Sequence, residues 1–284
     1  MDSQRAITYE ATPDMMPSSL PTRAEIALSS EILSDKPGCK VVVVGPYVVK
    51  HGIHVSLSEG EVMLHIAKST SVRIPKVYAL YRDRNEQKNY IVMEKIQGKT
   101  LKEVWPTLEP KAKEEITSQL RTSFDQLRRL PSPARFCALH GSPLPDALFE
   151  THEDPNCRTG PFESEEQLNQ ALLEKYVASE ARMEGKAIFY ERAWASVFSG
   201  HEPVFTHGDL QQKKIMVSED TDRLCVVIID WETAGWYPSY WEYARAIFAC
   251  FGFEDDWSFW LEQALDPYLN EYAWMYILML EMWS

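Results

Sequence analysis

Residues 205–217 read FTHGDLQQKKIMV, and after a short spacer residues 226–232 read VVIIDWE. Each stretch joins an aspartate to an apolar run of the kind that forms a buried strand. Asp209 precedes Ile-Met-Val, and Asp230 follows Val-Val-Ile-Ile. Two carboxylates at the ends of neighbouring strands can hold a hydroxyl nucleophile and a magnesium ion. This pattern predicts the fold and directs the search for chemistry along the rest of the chain.

The composition of the 284 residues is that of an ordinary globular protein, with 45% hydrophobic and 25% charged residues. The net charge is -13, from 29 basic and 42 acidic residues, and no dense block of Lys and Arg offsets it. Nucleic acid and anionic membranes are therefore not expected as partners, because both attract basic surfaces. We expect a small-molecule substrate, whereas the sequence makes no prediction of oligomeric state.

The cysteines and the apolar stretches indicate a cytoplasmic protein. The five cysteines are scattered and form no C-x-x-C pair, which predicts reduced thiols rather than disulfides or zinc. The polar and acidic N-terminus has no apolar run of the signal-peptide type. Residues 274–280 form the longest apolar stretch near the C-terminus, which is too short for a membrane span. We expect a packed terminal helix there, with an interaction face as the alternative.

The pattern of breakers and apolar residues divides the chain into three parts. Residues 1–20 are predicted to be a flexible lead, interrupted by Pro13, Pro17 and Pro21. Residues 21–97 form a β-rich part and residues 98–284 a mostly helical part. The expected elements are two strands within 40–50 bent at Gly45-Pro46, a helix at 57–69, a strand at 90–94, a helix at 110–130, a long loop at 131–165, and helices within 167–198, 239–251 and 256–282.

Two charged residues of the β-rich part are candidates for phosphate binding. Lys50 ends an otherwise apolar strand, where its ammonium can reach a phosphate while its stem packs on apolar neighbours. Glu61 lies on the following predicted helix and can hold Lys50 as an ion pair. The alternative is that both side chains are simply solvated at the surface.

The two aspartates differ in the chemistry that their surroundings allow. Asp209 follows Gly208 in a tight turn and can accept a proton from a substrate hydroxyl, while His207 braces the turn through a hydrogen bond. Asp230 emerges at a strand end, which suits a magnesium ligand, and Glu232 is a candidate for a nearby or substrate-facing acid. The alternatives are a capping aspartate beside a structural histidine, a turn aspartate and a surface glutamate.

These residues resemble a known family. The motif HGDL-x-x-x-x-I-M-V followed by IIDWE-x-A-G-WYP-x-YWEY is similar to that of the aminoglycoside phosphotransferase and choline kinase superfamily, most closely its fungal phosphotransferase-like branch. The resemblance extends over roughly residues 40–255 and includes YVVKHG, IPKVYAL, YIVMEKIQGKTL, QLRRLPSP and GPFESEEQLN.

The resemblance implies an α+β, bilobal protein-kinase-like fold with a β-rich N-lobe and a mostly helical C-lobe. It implies ATP and Mg²⁺ as cofactors, with Lys50 on the α- and β-phosphates and Glu61 as its partner. The hinge that contacts adenine through its backbone groups would consist of Glu94, Lys95 and Ile96. The long loop at 131–165 and the helices after it would line the acceptor pocket.

For the reaction itself, the resemblance makes Asp209 the catalytic aspartate and Asp230 the main magnesium ligand. The chain departs from the family pattern at Lys214. The family has an asparagine at this position, and its side-chain oxygen helps to bind magnesium. A lysine has three donors and no acceptor, so it cannot coordinate a cation. Beside Asp209 and Asp230 its charge would be attracted by a few kcal/mol at about 4 Å.

Three hypotheses follow from this departure. The first is a kinase that phosphorylates a small-molecule hydroxyl with ATP and a single magnesium on Asp230. The second is a repurposed, non-phosphorylating enzyme of small-molecule secondary metabolism, which needs no cofactor and uses Asp209, Lys214 and Asp230 as an acid–base cluster. The third is a silent pseudokinase that binds or scaffolds without catalysis.

Overall fold

The computed structural model describes residues 5–149, 159–178, 183–220 and 223–282. The chain forms two compact units. The first comprises Met1–Lys99 with Val227–Glu232, and the second comprises Thr100–Val226 with Thr233–Ser284. The continuous part of the first unit ends at Lys99, and the boundary predicted from the sequence is residue 97. The structure differs at Val227–Glu232, which the sequence placed in the helical part.

Six strands of the first unit form one antiparallel sheet, in the order β1-β5-β6-β4-β3-β2. The strands are β1 (Arg5–Glu10), β2 (Ile32–Lys36), β3 (Cys39–Val44), β4 (Tyr47–Gly52), β5 (Val77–Asp83) and β6 (Lys88–Glu94), and the helices of this unit are α1 (Arg23–Leu28) and α2 (Ser58–Ser69). Val227–Glu232 joins the unit partly through a backbone hydrogen bond of 3.3 Å from Ile228 N to Arg73 O.

The hairpin of β3 and β4 places Lys50 in the sheet. The chain reverses at Gly45, whose φ of 57° lies in the left-handed region that glycine tolerates. Lys50 pairs with Val41 on one side and with Ile91 on the other. Because successive strand residues point to opposite faces, Val49 enters the aromatic and aliphatic core while Lys50 faces the other way. The bent pair of strands and the helix at 57–69 are therefore confirmed.

The N-terminal segment is more ordered than the sequence predicted. Arg5–Glu10, within the expected flexible lead, forms an edge strand that pairs with β5. The three prolines do not prevent this pairing because all of them follow the strand, and Pro13 begins a short 3-10 helix instead.

The second unit is mainly helical and also contains several short strands. Its elements are β7 (Lys99–Thr100, at the junction of the units), α3 (Leu101–Val104), α4 (Pro110–Arg128), α5 (Glu165–Ala178), α6 (Glu184–Val197), β8 (Pro203–Thr206), β9 (Ile215–Asp220), β10 (Arg223–Ile228, which runs on into the first unit), β11 (Gly235–Pro238), α7 (Trp241–Phe248), α8 (Trp257–Ala264) and α9 (Leu269–Met282). The helix expected over 256–282 is split in two, since Pro267 lies between α8 and α9.

An aromatic-rich core holds α5, α6, α7 and α9 together. Met275, Leu278 and Met279 of α9 are completely buried in it, so the predicted packed terminal helix is confirmed. The opposite side of α9 is 39% to 47% exposed at Tyr276, Ile277 and Leu280. Among the helices of the described residues, none combines the length and the apolar character that crossing a bilayer requires.

The remaining sequence expectations concern the cysteines and the long loop. Cys39, Cys137, Cys225 and Cys250 are free thiols, and Cys157 lies outside the described residues. An isolated β-bridge between Phe136 and Phe162 joins the two ends of the segment 131–165. Residues 150–158 of this segment also lie outside the described part.

Candidate active site

The turn that carries Asp209 is held from several directions within the second unit. Gly208 adopts a φ of 83°, and a Cβ at this position would lie 3.0 Å from Thr233 O. Thr233 Oγ1 donates to His207 O at 2.8 Å. Asp209 N donates to His207 Nδ1 at 3.2 Å, which is the bracing hydrogen bond that the sequence assigned to His207. The turn therefore requires glycine and fixes the backbone of Asp209.

Glu242, in the first turn of α7, is a site residue that sequence reasoning missed. Its Oε2 accepts hydrogen bonds from the backbone of His207 at 2.6 Å and of Gly208 at 3.4 Å. The side chain is 2% exposed, and burial raises the pKa of Glu242 to about 7 against the effect of these two bonds. The available signal was its place in the YWEY block, where a glutamate on an otherwise aromatic helix face needs a polar partner.

Replacing Glu242 with glutamine should flatten part of the dependence of stability on pH. The native pKa of Glu242 is about 7 and its ordinary value is 4.5, so between these pH values the native state holds a proton that the unfolded chain has released. Raising the pH through this window therefore favours unfolding in the parent. We expect the free energy of unfolding of Glu242→Gln, measured in urea, to rise relative to that of the parent between pH 4.5 and pH 8. The expected rise is on the order of 3 kcal/mol.

Glu115→Gln, an exposed change on α4, is the matched control and should leave the pH profile unchanged. A constant difference between Glu242→Gln and the parent across the whole pH range would contradict the assignment of a proton to Glu242.

The carboxylate of Asp209 is bound by side chains of its own loop. Lys214 Nζ contacts Oδ2, and Gln211 Nε2 donates to Oδ1. The side chain of Lys214 is 10% exposed, whereas that of Asp209 is 26% exposed. The lysine that departs from the family pattern thus pairs directly with the candidate base, as the sequence suggested. Burial of the ammonium on a short 3-10 helix (Gln212–Lys214) makes this pair a fixed part of the loop.

A second charged cluster lies within the first unit, around Lys50. Its Nζ is 2.7 Å from Glu59 Oε2, 3.0 Å from Asp230 Oδ1 and 2.7 Å from Glu232 Oε2. Burial opposes the charge of Lys50, but the three carboxylates outweigh burial and raise its pKa. Lys50 is therefore an ammonium ion at neutral pH.

The partner of Lys50 on α2 is Glu59, two positions before the Glu61 that the sequence suggested. Glu59 shares a helix face with the buried Val62, Met63 and Ile66, because residues three, four and seven apart lie on one side of a helix. Glu61 lies about 200° around the axis from Glu59 and is partly exposed. Burial raises the pKa of Glu59 to about 7, against the neighbouring ammonium.

The backbone around Asp230 is strained in a way that suits a functional residue. Asp230 has a φ of 67°, a backbone angle that residues other than glycine, asparagine and aspartate rarely adopt. The next residue, Trp231, is fully buried and donates from its indole to Ile228 O at 3.0 Å. This anchor fixes the segment between the two carboxylates of Asp230 and Glu232. Strain that the surroundings maintain is typical of ligand-binding positions.

The donor set around Lys50 fits a divalent cation chemically. Oxygens of Glu59, Asp230 and Glu232 lie within 4.8 Å of one another. Carboxylate oxygens are the ligands that magnesium prefers, and it commonly uses one or two of them together with substrate phosphates. Asp230 and Glu232 are the more accessible pair, with side chains 28% and 48% exposed. Lys214 does not fit such a site, since an ammonium has no lone pair to donate.

The candidate hinge begins at the end of β6. The side chain of Glu94 forms a bidentate ion pair with Arg73 and accepts from Lys76 N at 3.0 Å. Its backbone N donates to Lys76 O at 2.8 Å, and Lys95 N donates to Pro46 O at 3.1 Å. The side chain of Glu94 therefore secures the end of the sheet, and Ile96 is the first hinge residue after these bonds.

The model of the phosphotransferase enzyme family matches residues 43–278. The chain belongs to this family. No curated protein sequence matches the chain significantly.

Several aminoglycoside phosphotransferases are among the solved structures that have a similar fold. The crystal structure of APH(4)-Ia is 16% identical, with a TM-score of 0.56 over 89% of this chain and 82% of that one. A GDP complex of aminoglycoside 2'-phosphotransferase-IIIa is 14% identical, with a TM-score of 0.57 over 88% and 83% of the two chains. A ternary complex of an APH(4)-Ia mutant with AMP-PNP and hygromycin B is 16% identical, with a TM-score of 0.56 over 88% and 82%.

At these identities the similarity establishes the fold. It confirms the predicted α+β, protein-kinase-like fold, with an antiparallel sheet in the first unit and helices dominating the second. The predicted resemblance to aminoglycoside phosphotransferases is confirmed as well.

Proposed function

We propose that this protein transfers the γ-phosphoryl group of ATP to a hydroxyl group of a small molecule. The observation that carries the proposal is the position of Lys50, whose buried ammonium is bound at 2.7 to 3.0 Å by Glu59, Asp230 and Glu232. A lysine fixed in this way beside carboxylates presents both a phosphate-binding charge and metal ligands. We also propose a cytoplasmic setting, on the basis of the scattered cysteines.

In this proposal Asp209 is the catalytic base. Its carboxylate would take the proton of the acceptor hydroxyl, whose oxygen attacks the γ-phosphorus while the bond to the β,γ-bridging oxygen breaks and ADP leaves. Asp230 would bind Mg²⁺, with Glu232 as a second carboxylate, and Lys50 would bind nucleotide phosphate oxygens. Magnesium would neutralise the charge of the phosphates when it is bound.

Lys214 would change the metal requirement of this reaction. Lys214 contacts one carboxylate oxygen of Asp209, at the position where the family pattern has an asparagine that helps to bind magnesium. We therefore propose a single magnesium, bound on the Asp230 side. Glu94 and Ile96 are proposed to flank the adenine hinge, through backbone groups.

The second candidate function is a non-phosphorylating reaction of secondary metabolism that uses no cofactor. The observation in its favour is the direct pair of Asp209 and the buried Lys214, since a lysine next to a carboxylate can shuttle protons. A silent binding protein is the third possibility, and loss of all turnover would favour it.

Changing Lys214 to asparagine separates these candidates. If the protein is a phosphotransferase, Lys214→Asn should bind Mg–ATP more tightly, by about tenfold, because an amide oxygen replaces an ammonium and supplies a metal ligand. Isothermal titration with Mg–ATP measures this change directly. Lys213→Asn, at the exposed neighbouring position, is the matched control and should bind as the parent does.

The parent protein supplies the complementary result. It should bind Mg–ATP and lose that binding in Asp230→Ala. Absence of Mg–ATP binding in the parent, with turnover of a metabolite that depends on Asp209 and Lys214 but needs no ATP, would favour the second candidate and reject the first.

A further inference from the structure

We propose that the solvent-facing side of the terminal helix α9 is a homodimer interface, in which α9 packs antiparallel on α9 of a second copy of the chain. Every residue of the helix from Tyr272 to Leu280 is apolar or aromatic. Its inner side is completely buried in the core of the second unit at Met275, Leu278 and Met279. A helix at a protein surface ordinarily has polar residues opposite its buried side. An apolar outer side therefore indicates a second packing contact, which does not depend on the proposed phosphoryl transfer.

The outer side of α9 forms one apolar stripe. Its five members are all exposed and uncharged: Leu269, Ala273, Tyr276, Ile277 and Leu280. At the two ends, Leu269 is 64% exposed and Leu280 is 47% exposed. Positions 269, 273, 276 and 280 are separated by four, three and four residues, which is the spacing of a coiled-coil seam. Such a seam packs along the seam of another helix.

The order of residues in the seam is self-complementary when two copies run antiparallel. The intervals of four, three and four read the same in both directions, so a two-fold axis can relate the two helices. Leu269 then lies opposite Leu280 of the second copy, and Ala273 lies opposite Tyr276 of the second copy. Each large ring thus faces a small side chain, as close packing requires. A parallel pair would instead place Tyr276 against itself, which favours the antiparallel arrangement.

The charges of α9 also favour a second copy as the partner. The helix contains two acidic residues, and both contact side chains of its own unit. Glu271 Oε1 is 3.4 Å from His201 Nε2, and Glu281 pairs with Lys186 and accepts from the Tyr190 hydroxyl at 2.7 Å. The stripe itself is uncharged, so two chains can bring it together without juxtaposing like charges, although each chain has a net charge of -13.

The exposed apolar area is sufficient for a specific contact. Phe251, which is 71% exposed, extends the stripe, because Phe248 lies between it and Tyr276 with ring centroids 5.4 and 5.8 Å away. Aromatic side chains have areas of about 150–250 Å² each, so the exposed parts amount to on the order of 500 Å² per chain. Two copies would bury on the order of 1,000 Å² in total, which reaches the lower size limit of specific protein interfaces.

A lipid bilayer matches the stripe less well than a second copy does. Helices that lie in a membrane interface are rich in Lys and Arg on their polar side, which attract lipid head groups. From Leu269 to Met282, α9 contains no basic residue. Its polar groups also face the protein, as the contacts of Glu271 and Glu281 show.

Sedimentation of the full chain in the analytical ultracentrifuge tests the proposal. The parent should form a reversible dimer with a dissociation constant in the micromolar range, as suits an interface of this size. Leu280→Lys should raise this constant at least about tenfold, because it buries an ammonium against Leu269 of the second copy. Leu28→Lys is the matched control and should dimerise as the parent does, since Leu28 is an 83% exposed leucine on α1 of the first unit.

Exchanging Ala273 and Tyr276 tests the antiparallel pairing. Ala273→Tyr places tyrosine opposite tyrosine, and Tyr276→Ala leaves alanine opposite alanine, so each single change should weaken dimerisation by about tenfold. The double variant Ala273→Tyr/Tyr276→Ala again places a large residue opposite a small one. It should dimerise to within about threefold of the parent, a recovery that damage to the monomer would not give.

Several results would overturn the proposal. One is a parent chain that stays monomeric throughout the micromolar range, and another is dimerisation that Leu280→Lys leaves unchanged. Failure of the double variant to recover, with its helical circular dichroism intact, would reject the antiparallel pairing. Binding of a monomeric parent to phosphatidylcholine vesicles, abolished by Leu280→Lys, would assign the stripe to a bilayer instead.

Discussion

Lys50→Met is expected to lower the free energy of unfolding by about 3 kcal/mol at neutral pH, because it leaves a buried carboxylate without its counter-charge. Lys50 and Glu59 are 8% and 3% exposed, and their charged atoms are 2.7 Å apart. Methionine keeps the length and apolar packing of the lysine stem, so the measured change reports the ammonium. Equilibrium unfolding in urea, followed by tryptophan fluorescence, is the measurement.

The pH dependence of this variant identifies the cause. Without the ammonium, the pKa of Glu59 should rise above its native value of about 7, so the residue becomes neutral over a wider range. The deficit of Lys50→Met relative to the parent should therefore be smaller at pH 5 than at pH 8. The double variant Lys50→Met/Glu59→Gln should recover most of the lost stability, since no charge remains buried on α2.

Two matched variants control for side effects. Lys40→Met, on the neighbouring strand β3, removes an accessible lysine that is 3.6 Å from Asp35, and it should change stability by less than about 1 kcal/mol. Glu61→Gln should have a small effect compared with Glu59→Gln. A larger effect at Glu61 than at Glu59 would show that the sequence had identified the correct partner and that the assignment to Glu59 is wrong.

Asp209→Asn should reduce phosphoryl transfer by about 10²- to 10⁴-fold, because asparagine cannot accept the proton of the acceptor hydroxyl. The substitution keeps the size of the side chain, and its amide oxygen can still accept from Lys214 or Gln211, so Mg–ATP binding should remain. The measurement is ADP release with Mg–ATP and a panel of polyhydroxylated small molecules, carried out on parent and variant.

Asp125→Asn is the matched control, since Asp125 is a partly exposed aspartate on α4 that pairs with Arg121 at 3.1 Å. It should retain the turnover of the parent. Equal turnover in Asp209→Asn and the parent would remove Asp209 from the chemistry, whereas loss of Mg–ATP binding in the variant would point to a nucleotide-binding role instead.

Local sequence patterns predicted much of the fold because their physical causes are local. Gly45 next to Pro46 breaks two β-branched runs into β3 and β4, and Pro110 begins a long amphipathic helix. Contacts between residues that are distant in sequence do not follow from such local patterns. Val227–Glu232 could be assigned to the first unit only from tertiary contacts, such as those of Lys50 with Asp230 and Glu232.

The same distinction applies to the site. Four site residues could be singled out because each lies at a motif position or at a strand end: Lys50, Asp209, Lys214 and Asp230. The two members of the Asp209–Lys214 pair are only five residues apart in sequence. The partners of Glu242 could not be predicted in this way, because the backbone groups that it binds are 34 and 35 residues away in sequence. The sequence suggested Glu61 instead of Glu59. Which face of α2 contacts Lys50 is known only once the helix is packed against the sheet.

The sequence by itself determined the fold class, the family and the chemical character of the two loops that carry Asp209 and Asp230. It did so because hydrophobic period, turn residues and motif spacing act over a few residues. Only the tertiary structure decided which glutamate neutralises Lys50, that Glu242 holds the turn at Gly208, and that three carboxylates meet one ammonium. Those pairings depend on burial, which excludes water and strengthens a chosen ion pair, and burial is a property of the packed chain.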